Sequence, residues 1–272
     1  MRHQKKRWLA ALLTLCMLLS ILPSISLAFG ESEETWSGNR TNQTIDGGTH
    51  TITLSNLTID SPGLGKSAID ITGNADVTFI LEGNNTLSGR PNHPAIWVQS
   101  GSSVTFEGTG TLNTSAGGTT PGFGAAGIGG GYGASSNFGN ITINGGTIIA
   151  RGSGGGAGIG GGYEVGSGTV TGNVTINGGY VTAIGGSSGS TGGAGIGSGE
   201  NANYSGTVTI NGGVVYAEGG ADSTSIGSGN RAIGTSDNGA FTTGTGGNAV
   251  IVAPDGIGDP SGFADWDGIF IS

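Results

Sequence analysis

Aromatic side chains at repeated positions are the residues of this chain best suited to contact a ligand. Tyr132 and Tyr163 each lie four residues after an isoleucine in a Gly-Ile-Gly segment, and Tyr204 falls in the next equivalent loop. Exposed rings of this kind can stack on the faces of pyranose sugars. The open alternative is that they pack over glycine turns and cover apolar area there. The full set of candidates for sugar contact is Tyr132, Tyr163, Tyr204, Tyr180, Tyr216 and Trp97.

Four aspartates near the C-terminus concentrate oxygen atoms of the kind that calcium prefers. They are Asp255, Asp259, Asp265 and Asp267. Their spacing falls well short of an EF-hand loop, and aspartate is also common in ordinary turns. Calcium binding and a turn role are both open for these residues, and the sequence indicates no other cofactor.

Catalytic groups are sparse, which predicts that the protein is not an enzyme. Glycoside hydrolysis needs paired carboxylates on one face, and polysaccharide lyases need a positioned basic residue beside acidic groups. His50 and His93 are isolated beside turn residues, and the repeated faces carry Thr, Gly and Asn where a catalytic groove would need charge. A column formed by Asn144, Asn177 and Asn211 could contact a ligand, but it is expected to stack as an internal amide ladder that satisfies turn backbone groups.

The N-terminus has the composition of an export signal. Four basic residues within the first seven precede an apolar run over 8–22, and Ser26 and Ala28 supply the small residues of a cleavage site. This pattern predicts a secretory signal peptide at 1–28, with no stable membrane span after cleavage. Cys16 is the only cysteine, so the mature chain is expected to have no disulfide.

Charge after export argues against nucleic acid as a partner. Residues 29–272 carry five basic and 18 acidic side chains, a formal net charge of −13. Such a surface repels nucleic acids and anionic membranes. An acidic polysaccharide would need bridging metal ions to bind it.

Composition and repeats predict an all-β array. Glycine supplies 61 of the 272 residues without a collagen period, and only 10% of residues are charged. The segments 140–146, 173–179 and 207–213 repeat an Asn/Thr-Ile/Val-Thr-Ile-Asn-Gly-Gly pattern at spacings of 33 and 34 residues. Gly-Ile-Gly segments and short β-branched runs recur in step with them. Periods of this length indicate stacked supersecondary units.

Alternation within each short run assigns the side chains to faces. Ile141 and Ile143 should point inward and Thr142 outward, and the same pattern holds in each repeat. Three very short strands in each unit of about 30 residues predict a right-handed parallel β-helix. The outward threonines are similar to the flat threonine arrays of ice-binding β-helices, but their flanking columns lack the paired threonines of those surfaces.

The predicted domain boundaries follow from where the repeat begins and ends. A flexible leader is expected over 29–45, the parallel β-helix over 46–252, and a C-terminal cap or the truncated start of a further segment over 253–272. Residues 249–252 could form a closing strand. Glu31, Glu33 and Glu34 favour a solvated leader.

The repeated segments resemble a known class of secreted protein. Ser67 to Ile71, Asn84 to Leu87 and the alternation of 126–131 with 141–146 look like the glycine-rich carbohydrate-binding β-helix proteins of Gram-positive bacteria. The resemblance covers about residues 46–252. It implies a non-catalytic module at the bacterial cell surface for plant or cell-wall polysaccharide, in some members with calcium bridging to acidic sugars. The alternatives are a structural stalk or adhesin segment without glycan binding and, less favoured, a pectate-lyase-like enzyme.

Overall fold

Short parallel strands dominate the computed structural model, which describes residues 34–60, 63–118, 123–166, 168–230, 238–243, 249–258 and 268–272. These residues form an all-β structure in which the helical content is a 3-10 turn at Gly133–Ser135. Most strands pair in parallel with strands one repeat away along the chain. Over the same residues, no helix is long and apolar enough to cross a membrane.

The paired strands, numbered in chain order, fall into three stacks. The first stack contains β1 (Glu34–Asn39), β3 (Thr49–Ile59), β5 (Asp76–Glu82), β8 (Ser103–Gly108), β11 (Asn140–Ile143), β15 (Val174–Ile176), β20 (Ala202–Ile210) and β23 (Asn238–Thr243). The second contains β6 (Asn84–Pro91), β9 (Thr111–Gly117), β12 (Thr147–Arg151), β16 (Tyr180–Ile184), β21 (Val214–Glu218), β24 (Val250–Val252) and β25 (Ile269–Ile271). The third contains β2 (Gln43–Asp46), β4 (Ile69–Thr72), β7 (Ile96–Val98), β10 (Ile128–Gly129), β13 (Ile159–Gly160), β19 (Ile196–Gly197) and β22 (Ile226–Gly227).

Three further short strands lie beside these stacks. β14 (Gly168–Val170) pairs in parallel with the start of β20. β17 (Ser187–Ser188) and β18 (Thr191–Gly192) form a small antiparallel hairpin. The long strand β3 joins the first two stacks, because its start pairs with β5 and its end pairs with β6.

Alternation of apolar and polar residues explains the core. Ile141 and Ile143 are buried between the stacks while Thr142 points outward, as predicted. Each of these residues pairs in register with its equivalent one repeat later, so that Thr142 lies beside Thr175. Identical residues therefore form ladders through the structure. Each fully buried Ile or Val contributes about 1.5–3 kcal/mol to folding.

The third stack depends on glycine. Gly129, Gly160, Gly197 and Gly227 follow one another in register, with φ between 130° and 139°. This backbone conformation strongly favours glycine. A Cβ at any of the first three would also collide with the carbonyl oxygen of the next glycine in the column. The strands approach this closely only because these positions lack side chains.

The first strands lie earlier than the sequence suggests. Residues 34–39 form β1, which pairs with β3, and residues 43–46 form β2, which pairs with β4. The prediction of a flexible leader is therefore wrong for 34–39 and 43–45. Trp36 anchors this segment, since its ring is buried 6.3 Å from the ring of Phe79 and Arg40 lies over its outer face.

The C-terminal strands continue the second stack. β24 pairs with β21 on one side and with β25 on the other, all in parallel. β24 is therefore not a closing strand, and Ile269–Ile271 add one more strand to the sheet instead of covering its edge. Residues 259–267, which belong to the predicted cap, lie outside the described residues.

Candidate functional site

An aromatic cleft lies beside the third stack, at the level of β7. It has a volume of about 160 Å³. Its lining combines two aromatic rings with polar and small residues: Asn92, His93, Pro94, Trp97, Gly131 and Tyr132. Two of the predicted sugar-contact residues, Trp97 and Tyr132, are therefore brought together across one cavity.

The strand β7 fixes the position of the Trp97 ring. Ile96 and Val98 point into the core and are fully buried, so Trp97 between them points outward. Its neighbours in register are Asp70 on one side and Gly129 on the other. Because Gly129 and the later members of that column are glycines, Trp97 is the last side chain of its column. The indole ring is half-buried, and its Nε1–H is buried without a hydrogen-bond partner.

One titratable group, His93, lines the cleft, and a second, Asp70, lies next to Trp97 in register. Asp70 is largely buried beside Trp97, and burial raises the pKa of its carboxyl group, opposed by Ser67, Lys66 and His93. Burial lowers the pKa of His93, while Asp70 opposes that shift. At neutral pH the His93 imidazole is therefore mainly uncharged, and it can both donate and accept hydrogen bonds.

A row of stacked rings extends from the cleft. The rings of Phe123 and Tyr132 stack with centroids 5.1 Å apart, and those of Tyr132 and Tyr163 with centroids 5.6 Å apart. Asn201 donates a hydrogen bond of 2.8 Å to the Tyr163 hydroxyl and holds it in place. Phe123 is 42% exposed, and both tyrosines are half-buried. The row offers ring edges and hydroxyls along successive repeats.

Tyr204 does not belong to this row, and its prediction as a sugar contact is wrong. Its side chain is fully buried and stacks on Phe138. The hydroxyl donates a hydrogen bond of 2.8 Å to the Gly172 carbonyl, and burial raises its pKa well above the usual value. The loop was aligned with those of Tyr132 and Tyr163, but here the chain already forms β20, whose alternation places Tyr204 inward.

Tyr180 and Tyr216 lie on a different surface. They point outward from the second stack, as the alternation within their strands predicts, and Tyr180 is 64% exposed. The Tyr216 hydroxyl donates a 2.7 Å hydrogen bond to Glu218 Oε2, an interaction that raises the pKa of the tyrosine. The structure does not bring either ring to the cleft lining.

Of the four predicted calcium ligands, Asp255 lies among the described residues. Asp255 Oδ2 accepts a 3.0 Å hydrogen bond from the Gly219 backbone N–H, and the Asp255 N–H donates one of 2.9 Å to the Ser225 hydroxyl, so this residue links two successive repeats. Asp259, Asp265 and Asp267 lie outside the described residues. Among the residues that the structure describes, no group of three or more His, Cys, Asp or Glu side chains is arranged to hold a metal ion.

The outward face of the first stack carries amide and threonine ladders. Asn211 donates to Asn177, Asn177 to Asn144, and Asn144 to Glu107, with distances between 2.7 and 3.1 Å. The amide ladder is thus present, although it lies on the surface and not inside. A threonine column runs beside it in register, through Thr51, Thr78, Thr105, Thr142, Thr175, Thr209 and Thr242. These hydrogen bonds keep the face ordered and polar.

Several members of the cleft were not predicted as ligand contacts from the sequence. Asn92, His93 and Pro94 form the turn before β7, and their closeness to Trp97 in the chain was the available signal. Phe123 lies between repeats at no recurring spacing, so the repeat alignment could not identify it.

Comparison with known proteins gives no match: no protein-family model, curated protein or solved structure matches this chain. The resemblance to carbohydrate-binding β-helix proteins therefore stays a prediction. The residues of the cleft carry the functional argument.

Proposed function

We propose that this protein is a secreted, non-catalytic carbohydrate-binding module of a bacterial cell surface, and that the aromatic cleft is its binding site. The observation that carries the proposal is the pairing of Trp97 and Tyr132 across one cavity with Asn92 and His93 at its rim. Sugars are bound by aromatic rings that stack on their C–H faces and by polar groups that receive their hydroxyls. This cleft offers both.

The scaffold in this proposal is a right-handed parallel β-helix with three short strands per coil of about 30 residues. Its support is the order in which the chain visits the third, first and second stacks from β4 to β24, with each strand parallel to its equivalent one repeat later. Parallel connections of this kind are almost always right-handed. Equivalent loops would then recur on one side, which suits a polymer better than a single sugar.

The row of rings supports a polysaccharide as the ligand. The edges of the stacked Phe123, Tyr132 and Tyr163 rings, 5.1 and 5.6 Å apart, and the two tyrosine hydroxyls continue past the cleft, so a bound chain could contact them beyond Trp97. Asn201 orders the outermost ring before any ligand arrives. Such pre-ordering reduces the entropic cost of binding.

The composition of the cleft favours binding without catalysis. Among the lining residues that the structure describes none is a carboxylate, whereas glycoside hydrolysis uses two that face the sugar. Asp70, the nearest acid in register, is buried beside Trp97. His93 remains as a hydrogen-bonding group.

Acidic and neutral polysaccharides differ in whether they need positive charge at the binding surface. The mature chain carries a net charge of −13, so an acidic polymer needs a local source of positive charge. Calcium bridging is one source, and the exposed Lys66, whose charge acts on both Asp70 and His93, is another. A neutral polymer needs neither.

Retention on a panel of polysaccharides tests the proposal. The protein, purified after export from a bacterial host, is passed over pectic acid, cellulose and xylan, once with calcium and once with chelator. We expect saturable retention on at least one polymer, and loss of acidic-polymer retention in chelator would assign a bridging role to calcium. No retention on any of the polymers under either condition would contradict the proposal.

The second candidate function is a structural stalk or adhesin segment without glycan binding. The continuous ladders favour it, since the strands of the first stack remain in register from Thr51 to Thr242. A stalk predicts full stability and no saturable retention on the same panel. The one experiment therefore separates the two functions.

A further inference from the structure

The outward face of the second stack exposes two large apolar side chains next to each other. Tyr180 and Val214, adjacent in register, are 64% and 38% exposed. We call this surface the Tyr180 face, and it is formed by the outward residues of three strands: Thr147, Ile149 and Arg151 of β12; Tyr180, Thr182 and Ile184 of β16; Val214, Tyr216 and Glu218 of β21. Val250 and Val252 of β24 extend it. Contiguous apolar patches of this type mark interaction sites.

The form of the face limits what can bind there. β16 is hydrogen-bonded to β12 on one side and to β21 on the other, so its backbone groups are already used. A partner must therefore pack on the side chains, as one sheet packs on another at about 10 Å. The partner must also be flat and largely apolar.

The charges of Arg151 and Glu218 on the Tyr180 face favour a second copy of this chain as the partner. Arg151, Ile184 and Glu218 form one column, with one charge at each end and the isoleucine between them. A two-fold axis along β16 would place Arg151 opposite Glu218 of a second copy, and Glu218 opposite its Arg151. It would also place Ile184 and Tyr180 opposite their own equivalents. An isologous interface needs this kind of self-complementarity.

We propose that two copies of this chain associate through the Tyr180 face, with Arg151 of each copy opposite Glu218 of the other. The apolar side chains between the charges supply the buried contact, and the charges set the register. An axis along β21 instead would oppose Glu218 to itself, and an axis along β12 would oppose Arg151 to itself. The charge pattern therefore selects the axis along β16.

Charge reversal provides the test. Sedimentation equilibrium is measured on the exported protein at up to about 100 μM, a range that detects weak interfaces. Arg151→Glu places two glutamates opposite each other at both ends of the interface, and Glu218→Arg places two arginines there. We expect each single variant to weaken association about tenfold or more and the double variant to restore it. Thr142→Glu, on the first stack, is the matched control and should leave association unchanged.

A cross-linking experiment gives a second readout that does not depend on charge. In the exported protein, whose mature chain is expected to have no cysteine of its own, Ile184→Cys should be joined to its equivalent by a short bis-maleimide, whereas Thr142→Cys should not. A wild-type protein that stays monomeric at about 100 μM overturns the proposal. So does a double charge variant that associates no better than the single variants. Loss of polysaccharide retention in Tyr180→Ala, with no dimer in the wild type, would assign the face to a glycan instead.

Discussion

Replacing Gly160 by alanine tests the close stacking of the third stack. Gly160 has φ of 137°, and a Cβ there would lie well inside van der Waals contact with the Gly197 carbonyl oxygen. That backbone conformation costs an L-residue about 1–3 kcal/mol. Relief of the clash would also disturb the 2.8 Å hydrogen bond from Gly161 N–H to Gly197 O, worth about 1 kcal/mol. We therefore expect Gly160→Ala to lower the free energy of unfolding by about 2–4 kcal/mol.

The matched control is a glycine with positive φ but open surroundings. Gly189, between β17 and β18, has φ of 69°, and a Cβ there would meet nothing within 4 Å. Gly189→Ala should cost only about 1 kcal/mol, the price of the left-handed conformation itself. Urea unfolding followed by far-ultraviolet circular dichroism measures both variants. Equal losses in the two would refute the account of the third stack, because the added clash at Gly160 would then have no effect.

Two other predictions concern buried groups of the described structure. Tyr204→Phe removes the hydroxyl that donates a hydrogen bond to the Gly172 carbonyl, so it should lower the free energy of unfolding by about 1 kcal/mol. Polysaccharide retention should stay at the wild-type level. Reduced retention at unchanged stability would instead indicate that Tyr204 contacts the sugar. Asp70→Asn should stabilise the protein at pH 7, because burial raises the pKa of Asp70 and so disfavours its charged form in the folded state. The stability gain of Asp70→Asn should shrink as the pH falls through the folded-state pKa, because wild-type Asp70 is then protonated. Urea midpoints of both proteins at pH 7 and pH 4 measure this gain. An equal gain at the two pH values would contradict the argument.

Alternation and repeat spacing correctly predicted which side chains point inward, because the direction of a side chain in a strand depends on its position in the local sequence. Ile141, Ile143 and Thr142 repeat at a fixed distance from a glycine turn, so the face of each residue follows from its place in the repeat. The inward position of Val181 and the outward position of Tyr180 follow in the same way. Identical neighbours in adjacent repeats made the parallel register predictable as well.

Residues outside the repeat were harder to predict. The segment around Trp36 has one apolar residue and no alternation, and it becomes a strand because that ring packs near Phe79, a contact between distant parts of the chain. Tyr204 was misassigned because an added stretch of strand moved it to the inward phase. The cleft joins the turn at 92–94 to Trp97 and to Tyr132 of the next repeat, and only the three-dimensional stacking brings these together.

The most direct test of the proposed function is the affinity of the Trp97→Ala variant for the polysaccharide that retains the wild type. We expect binding about tenfold weaker or worse, because the variant loses the largest ring of the cleft. Trp97→Phe should keep most of the affinity, since the buried indole N–H has no hydrogen-bond partner, and Thr175→Ala on the first stack should bind like the wild type. Wild-type affinity in a correctly folded Trp97→Ala protein would contradict the assignment of the cleft as the binding site.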